Sequence, residues 1–206
     1  LTAHRSVYYA IRFNKKTIEF SFDLEAAAKK IIDYSCHTEP IRLIGSLFYL
    51  SKICEWFEKN NLNIKLNKNS FVFIFNEPEF IFSNTNIKKR LKTLFDVEEE
   101  NIRNILVFPN HGIPFIECKK GNYHIPVYAK AAALEPESLL PVSDGEEGLL
   151  CLMTPYLTGY PAISILTDYK AVIGDCDCEN HCKIFKLFKW YQIILYYFNI
   201  YKLFFI

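Results

Sequence analysis

The sequence predicts a mixed α/β chain, with helices and a mostly parallel sheet over about residues 24–108 and a β-rich subdomain over about 112–175. Three observations carry this. Half of the residues are apolar, too many for a disordered chain. Between Leu24 and Phe108 segments of helical spacing alternate with short apolar runs, the order that crossover connections produce. After Pro109 helical spacing gives way to short runs separated by Pro and Gly turns.

Val7, Tyr9, Ile11 and Phe13, then Ile18, Phe20 and Phe22, alternate around Asn14-Lys15-Lys16 and predict two strands. Asp23 is placed to open a helix whose apolar face is Leu24, Ala27, Ala28 and Ile31, with Glu25 in the positive first turn. His37 to Pro40 breaks it, and Ile41–Ile44 is a short strand. Leu47–Lys59 is an amphipathic helix, and Asn60–Asn69 a polar turn region. Ser70–Phe75 is apolar throughout, as in a strand covered on both faces. Asn86–Phe95 is a third helix and Ile102–Phe108 another strand. Phe115–Cys118, Tyr123–Ala131, Gly148–Met153 and Ala162–Ile173 come next as strands. The expected organisation is an α/β part at 1–108, a β-rich subdomain at 109–182 and an aromatic tail at 183–206.

The net charge of +1 argues against electrostatic binding of nucleic acid or anionic lipid. The 18 Phe and 13 Tyr, beside many Lys, Asn and Ile, fit an AT-rich coding sequence as well as any function. Seven cysteines form no regular framework and no secretory leader is evident, so the expected compartment is the cytoplasm. Trp190–Ile206 is shorter and more aromatic than a membrane span, and membrane contact is expected nowhere else. Translation past a frameshift and a functional tail both fit that composition.

Five blocks occur in order: His111-Gly112-Ile113-Pro114-Phe115-Ile116-Glu117-Cys118, Tyr123-His124-Ile125-Pro126-Val127-Tyr128, Leu134-Glu135-Pro136 through Pro141, Gly145-Glu146-Glu147-Gly148-Leu149-Leu150, and Thr154-Pro155-Tyr156 with Tyr160-Pro161. In these the chain, from Pro40 to about Phe185, resembles the LuxE-like acyl-protein synthetases of the adenylate-forming superfamily. The resemblance implies an incomplete adenylate-forming fold and a ligase chemistry using ATP and magnesium. A fatty acid is activated as acyl-adenylate, and the acyl group passes to a cysteine of an acyl-accepting protein or synthetase complex. Related synthetases occur both with and without bioluminescence.

The family's functional positions carry over unevenly. An aromatic-Gly-x-x-Glu motif should precede the first block, but Val107 stands in place of the Gly and Asn110 in place of the magnesium-holding Glu. His111 and His124 fall near the implied acyl or nucleotide cleft, and Gly112 is a candidate nucleotide contact. The glycine-rich turn ending in Trp-Lys is replaced by Phe75-Asn76-Glu77-Pro78-Glu79, whose carboxylates repel phosphate. Asp168 is the candidate ribose ligand, although counting back from Val172 puts the family's Asp on Tyr169. A phosphate loop and a C-terminal lid with its lysine and acceptor cysteine are not found, and the chain starts at Leu1 rather than Met.

Cys176-x-Cys178 matches a Cys-x-Cys-Gly segment common in the family, with Glu179 in place of the Gly. Cys176, Cys178, His181 and Cys182 are candidate zinc donors, with free thiols in a turn as the alternative. Cys118 reads either as a more distant ligand or as a strand-core cysteine. Two functions are compatible with these residues. One is a fragment or degenerate copy of an acyl-protein synthetase that does not form acyl-adenylate by itself. The other is a non-catalytic acyl- or partner-binding protein that retains the fold.

Overall fold

A computed structural model describes residues 7–76, 85–108, 111–155, 164–178 and 182–188. The chain divides into two compact units, one of residues 1–74 and 83–102, the other of residues 75–82 and 103–206.

The first unit opens with an antiparallel hairpin of β1 (Ile11–Asn14) and β2 (Glu19–Phe22), in which Phe13 lies opposite Phe20. Helix α1 (Leu24–Ser35) starts where expected: the Asp23 carboxylate accepts the Ala26 N–H at 2.9 Å, satisfying one orphan donor of the first turn. Its Ala27, Ala28 and Ile31 are buried. β3 (Arg42–Ser46) leads into α2 (Leu47–Lys59), whose Leu50, Ile53, Cys54 and Phe57 recur at helical spacing and are buried. The helix ends at Asn60 and Asn61, the latter left-handed at φ 51°.

β4 (Phe71–Asn76) is β3's neighbour, and the Phe71 N–H donates to the Ile41 carbonyl at 3.0 Å. The two strands thus enter the sheet side by side and run parallel, as a helical crossover requires. Only one face of β4 is fully covered: Val72 and Ile74 are buried, while Phe71 and Phe73 stack on each other half-buried and Phe75 is exposed. The continuous apolar run therefore conceals an ordinary two-faced strand. Helix α3 (Thr85–Phe95) adds Ile87, Leu91, Leu94 and Phe95 to the core, and Arg90 grips Glu58 of α2 through two hydrogen bonds at 2.7 and 2.8 Å. A 3-10 turn (Glu99–Asn101) leads into β5 (Ile102–Val107).

In the second unit β5 pairs antiparallel with β6 (Pro114–Ile116), Leu106 opposite Phe115. Beyond it lies a five-stranded antiparallel sheet in the order β7-β11-β10-β9-β8. Its strands are β7 (Tyr123–His124), β8 (Lys130–Leu134), β9 (Glu147–Met153), β10 (Ser164–Asp175) and β11 (Lys183–Phe188). β8 and β9 approach so closely at Gly148 that an added Cβ would lie 2.6 Å from the Leu134 carbonyl oxygen. That glycine of the fourth sequence block is thus a packing requirement. The core is Leu106, Phe108, Phe115, Leu150, Leu152, Ala171 and Phe185 with their neighbours.

The beginning of the expected aromatic tail is a strand. Residues 183–188 form β11 between β7 and β10, and Phe185 is wholly buried against Phe115 and Tyr123. Its alternation is short and interrupted by lysines, so composition alone did not separate it from the aromatic residues after it. Among the described residues no helix is long and apolar enough to cross a membrane.

Candidate functional site

The turn after β5 is built by backbone. The N–H groups of His111 and Gly112 both donate to the Phe108 carbonyl, at 2.9 and 3.1 Å. Gly112 takes φ 67°, where a side chain costs about 1 kcal/mol, and it is exposed. His111 is the opposite: fully buried, with its ring stacked on Phe115 at 5.6 Å. Neither ring nitrogen has a hydrogen-bond partner of good geometry among the described residues. Burial holds its pKa below the ordinary imidazole value, partly offset by the Met153 backbone. The neutral ring offers a donor and an acceptor rather than a positive charge.

Asp168 lies in a bulge of β10. In β10, Ser164–Leu166 pair with Met153–Cys151 and Lys170–Val172 with Leu149–Glu147, so Thr167, Asp168 and Tyr169 together lie opposite Leu150 alone. The Thr167 hydroxyl donates to the Leu150 carbonyl at 2.9 Å and anchors the bulge. Tyr169 is buried and meets Phe108 edge-on at 5.8 Å, whereas Asp168 remains half-buried. In a regular strand a one-residue offset would reverse the face; here the extra residues release Asp168 from that constraint. The Phe108–Tyr169 contact joins the Gly112 turn to this bulge. Beside them Thr154, in the last sequence block, is buried and donates to the Tyr128 carbonyl at 3.3 Å. Asn110 lies outside the described residues.

Segment 106–110 offers magnesium no carboxylate, and Glu117 is already engaged, its Oε2 accepting the Asn104 N–H at 2.7 Å. The donor set does not fit the family's magnesium position.

A second constellation lies at the β6–β7 turn and the β10–β11 loop. One donor atom from each of Cys118, His124, Cys176 and Cys178 lies within 4.8 Å of all the others. The Cys118 and Cys176 sulfurs are 3.8 Å apart, and Cys178 Sγ is 3.3 Å from His124 Nε2. All three cysteines are buried. At Cys176 burial opposes ionisation, but hydrogen bonds from Cys178, His124 and Asn122 outweigh it and bring the thiol down to about 6. Cys182 stands at the rim, its own thiol raised by burial and by Cys176.

The converging set differs from the expected donors. Cys176 and Cys178 are kept, Cys182 is not among the four, and His181 lies outside the described residues. Cys118 and His124 join instead, because the β11–β7 pairing sets His124 opposite Ile184 and the Glu117–Tyr123 bridge folds Cys118 back beside it. The available signal was weak: two ligand-type residues six positions apart, more than fifty residues before Cys176.

A family model described as acyl-protein synthetase, LuxE, matches residues 4–192. The chain is 28% identical over 152 residues to a long-chain-fatty-acid–luciferin-component ligase of Aliivibrio fischeri; the match spans 71% of this chain but only 40% of that protein. Among solved structures, 2-hydroxyisobutyryl-CoA ligase superposes with a TM-score of 0.58 at 13% identity, over 78% of this chain and 35% of the other. A long-chain-fatty-acid-CoA ligase from Archaeoglobus fulgidus gives 0.52 at 10%, over 83% and 37%. These likenesses show an incomplete adenylate-forming fold, about a third of the ligases it matches. The chain belongs to the acyl-protein synthetase family whose sequence blocks it carries.

Proposed function

We propose that the chain is a fragment or degenerate copy of an acyl-protein synthetase, contributing a nucleotide-facing wall and not completing adenylation alone. The observation that carries the nucleotide-facing role is the bulge at Thr167–Tyr169, which leaves Asp168 half-buried while Tyr169 takes the core position. In this proposal Asp168 accepts hydrogen bonds from ribose hydroxyls of ATP, and the exposed backbone at Gly112 lies along the nucleotide.

The chemistry is that of the family. A fatty-acid carboxylate oxygen attacks the α-phosphorus, the bond to the bridging oxygen breaks, and pyrophosphate leaves. A protein thiolate then attacks the acyl carbon, the carbon–oxygen bond breaks, and AMP leaves as the thioester forms. Val107, Asn110 and the Phe75–Glu79 segment are the departures that weaken this chain for that task. The test is fatty-acid-dependent ATP–pyrophosphate exchange. Negligible exchange by this chain, with activity appearing when the remaining synthetase segments of a relative are supplied, is the expected result. Robust exchange by the chain alone overturns the degenerate reading.

A second reading has its own observation. In and beside the β1–β2 hairpin, Tyr9, Phe13, Ile18 and Phe20 are exposed, Ile18 to 78%. A non-catalytic subunit that binds fatty acid or a synthetase partner would use such a surface. It predicts that fatty acid or the partner raises the melting temperature; no shift with either, in a monomeric protein, removes it.

A further inference from the structure

We propose that Cys118, His124, Cys176 and Cys178 bind one zinc ion that staples the β6–β7 turn to the β10–β11 loop. Four donors converge on one point from two separate stretches of chain. In a tetrahedral site with Zn–S near 2.3 Å and Zn–N near 2.0 Å, sulfurs lie about 3.8 Å apart and sulfur and nitrogen about 3.5 Å apart. The observed Cys118–Cys176 separation is 3.8 Å and the Cys178–His124 separation 3.3 Å. A disulfide does not explain this geometry, because bonded sulfurs approach to about 2.05 Å. Apolar packing alone does not either, since the half-buried His124 turns a polar nitrogen to within 3.3 Å of the buried Cys178 sulfur.

Thiolate and imidazole donors in a tetrahedral set select zinc over harder cations. Four protein ligands leave no position for water or substrate, so the site is structural. Its surroundings are those of a metal centre: Asn122 Nδ2 lies 3.7 Å from Cys176 Sγ, and the Lys120 N–H donates to Cys118 Sγ at 3.4 Å. Such donors support thiolate charge when the metal displaces the thiol protons. The Cys176 N–H bonds the Cys182 carbonyl at 2.9 Å, so Cys182 closes the loop through its backbone while its sulfur stays outside the set.

The experiment is metal analysis of the full chain, expressed with added zinc and purified without chelator. The expected content is about one zinc per chain, retained in Cys36→Ser and Cys182→Ser and lost in Cys118→Ser, His124→Ala and Cys176→Ser. If those three variants fold poorly, cobalt titration of the metal-stripped native chain gives an independent reading. Binding then produces thiolate-to-cobalt charge-transfer absorption and the intense visible bands of tetrahedral cobalt. A chain with no stoichiometric zinc and no such bands overturns the proposal. Retention of zinc in Cys118→Ser with loss in Cys182→Ser also overturns it, in favour of donors adjacent in sequence.

Discussion

The two units treat buried polarity in opposite ways. Among the described residues, Ser70 is the one buried polar side chain of the helix–strand unit, and its hydroxyl accepts the Ile41 N–H at 3.0 Å. The β-rich unit buries Asn104, His111, Asn122 and Thr154. Their cysteines show the consequence. Cys54, enclosed by Leu50, Ile53 and Phe57 on the buried face of α2, is driven up to about 12 chiefly by burial. Cys176 is also buried but falls to about 6, because its neighbours donate hydrogen bonds. Burial alone makes a thiol an inert hydrophobe; burial with donors makes it a ligand or a nucleophile.

The largest expected effect tests the apolar side of this contrast. Phe57→Ala removes a fully buried ring packed edge-on against Phe95 and should cost about 3–5 kcal/mol. Urea unfolding followed by Trp56 fluorescence, in a Trp190→Phe background, measures it. Gly148→Ala forces a methyl into the Leu134 backbone and should cost about 1–3 kcal/mol, read from the midpoint of the same denaturant curve monitored by circular dichroism. Asp23→Ala removes the cap of α1, at about 1 kcal/mol. The half-exposed Arg90–Glu58 pair should show a coupling of only about 0.2–1 kcal/mol in a double-mutant cycle.

The last prediction concerns pH and lies wholly in the β-rich unit. The folded pKa of His111 is below its unfolded value of about 6.5, so the unfolded chain binds more protons in the window between them. The His111 contribution is therefore full above about pH 6.5 and declines as pH falls through that window. His111→Gln should flatten the low-pH side of the stability profile. An unchanged profile would mean the ring is solvated or paired in solution.

Much of the helix–strand unit was legible because its signals are local. Asp23 before Leu24, and Leu50, Ile53, Cys54 and Phe57 at helical spacing, need only their neighbours in sequence to be read. The exception was β4, where Phe71, Phe73 and Phe75 hid the exposed face behind apolar side chains. The β-rich unit was less legible, since each short strand is decided by its partner. Lys183–Phe188 read as the start of a tail until β7 and β10 flanked it, and the bulge that carries Asp168 is a property of β9 and β10 together. The converging Cys/His set was half seen: Cys176-x-Cys178 is a local pattern and Cys118 was one of two open readings, whereas His124 joins only through strand pairing.

By itself the sequence determined the α/β class, the order of helices and strands as far as β5, the acyl-protein synthetase resemblance, and the departures at Val107 and Asn110. Periodicity, caps and ordered sequence blocks are written along the chain, so no folding is needed to read them. The tertiary structure alone decided which face of β4 is covered, that residues 183–188 are a strand, that Asp168 sits in a bulge, and which four side chains converge. Those depend on register and on contacts between residues tens of positions apart, where a shift of one residue changes which side chains meet.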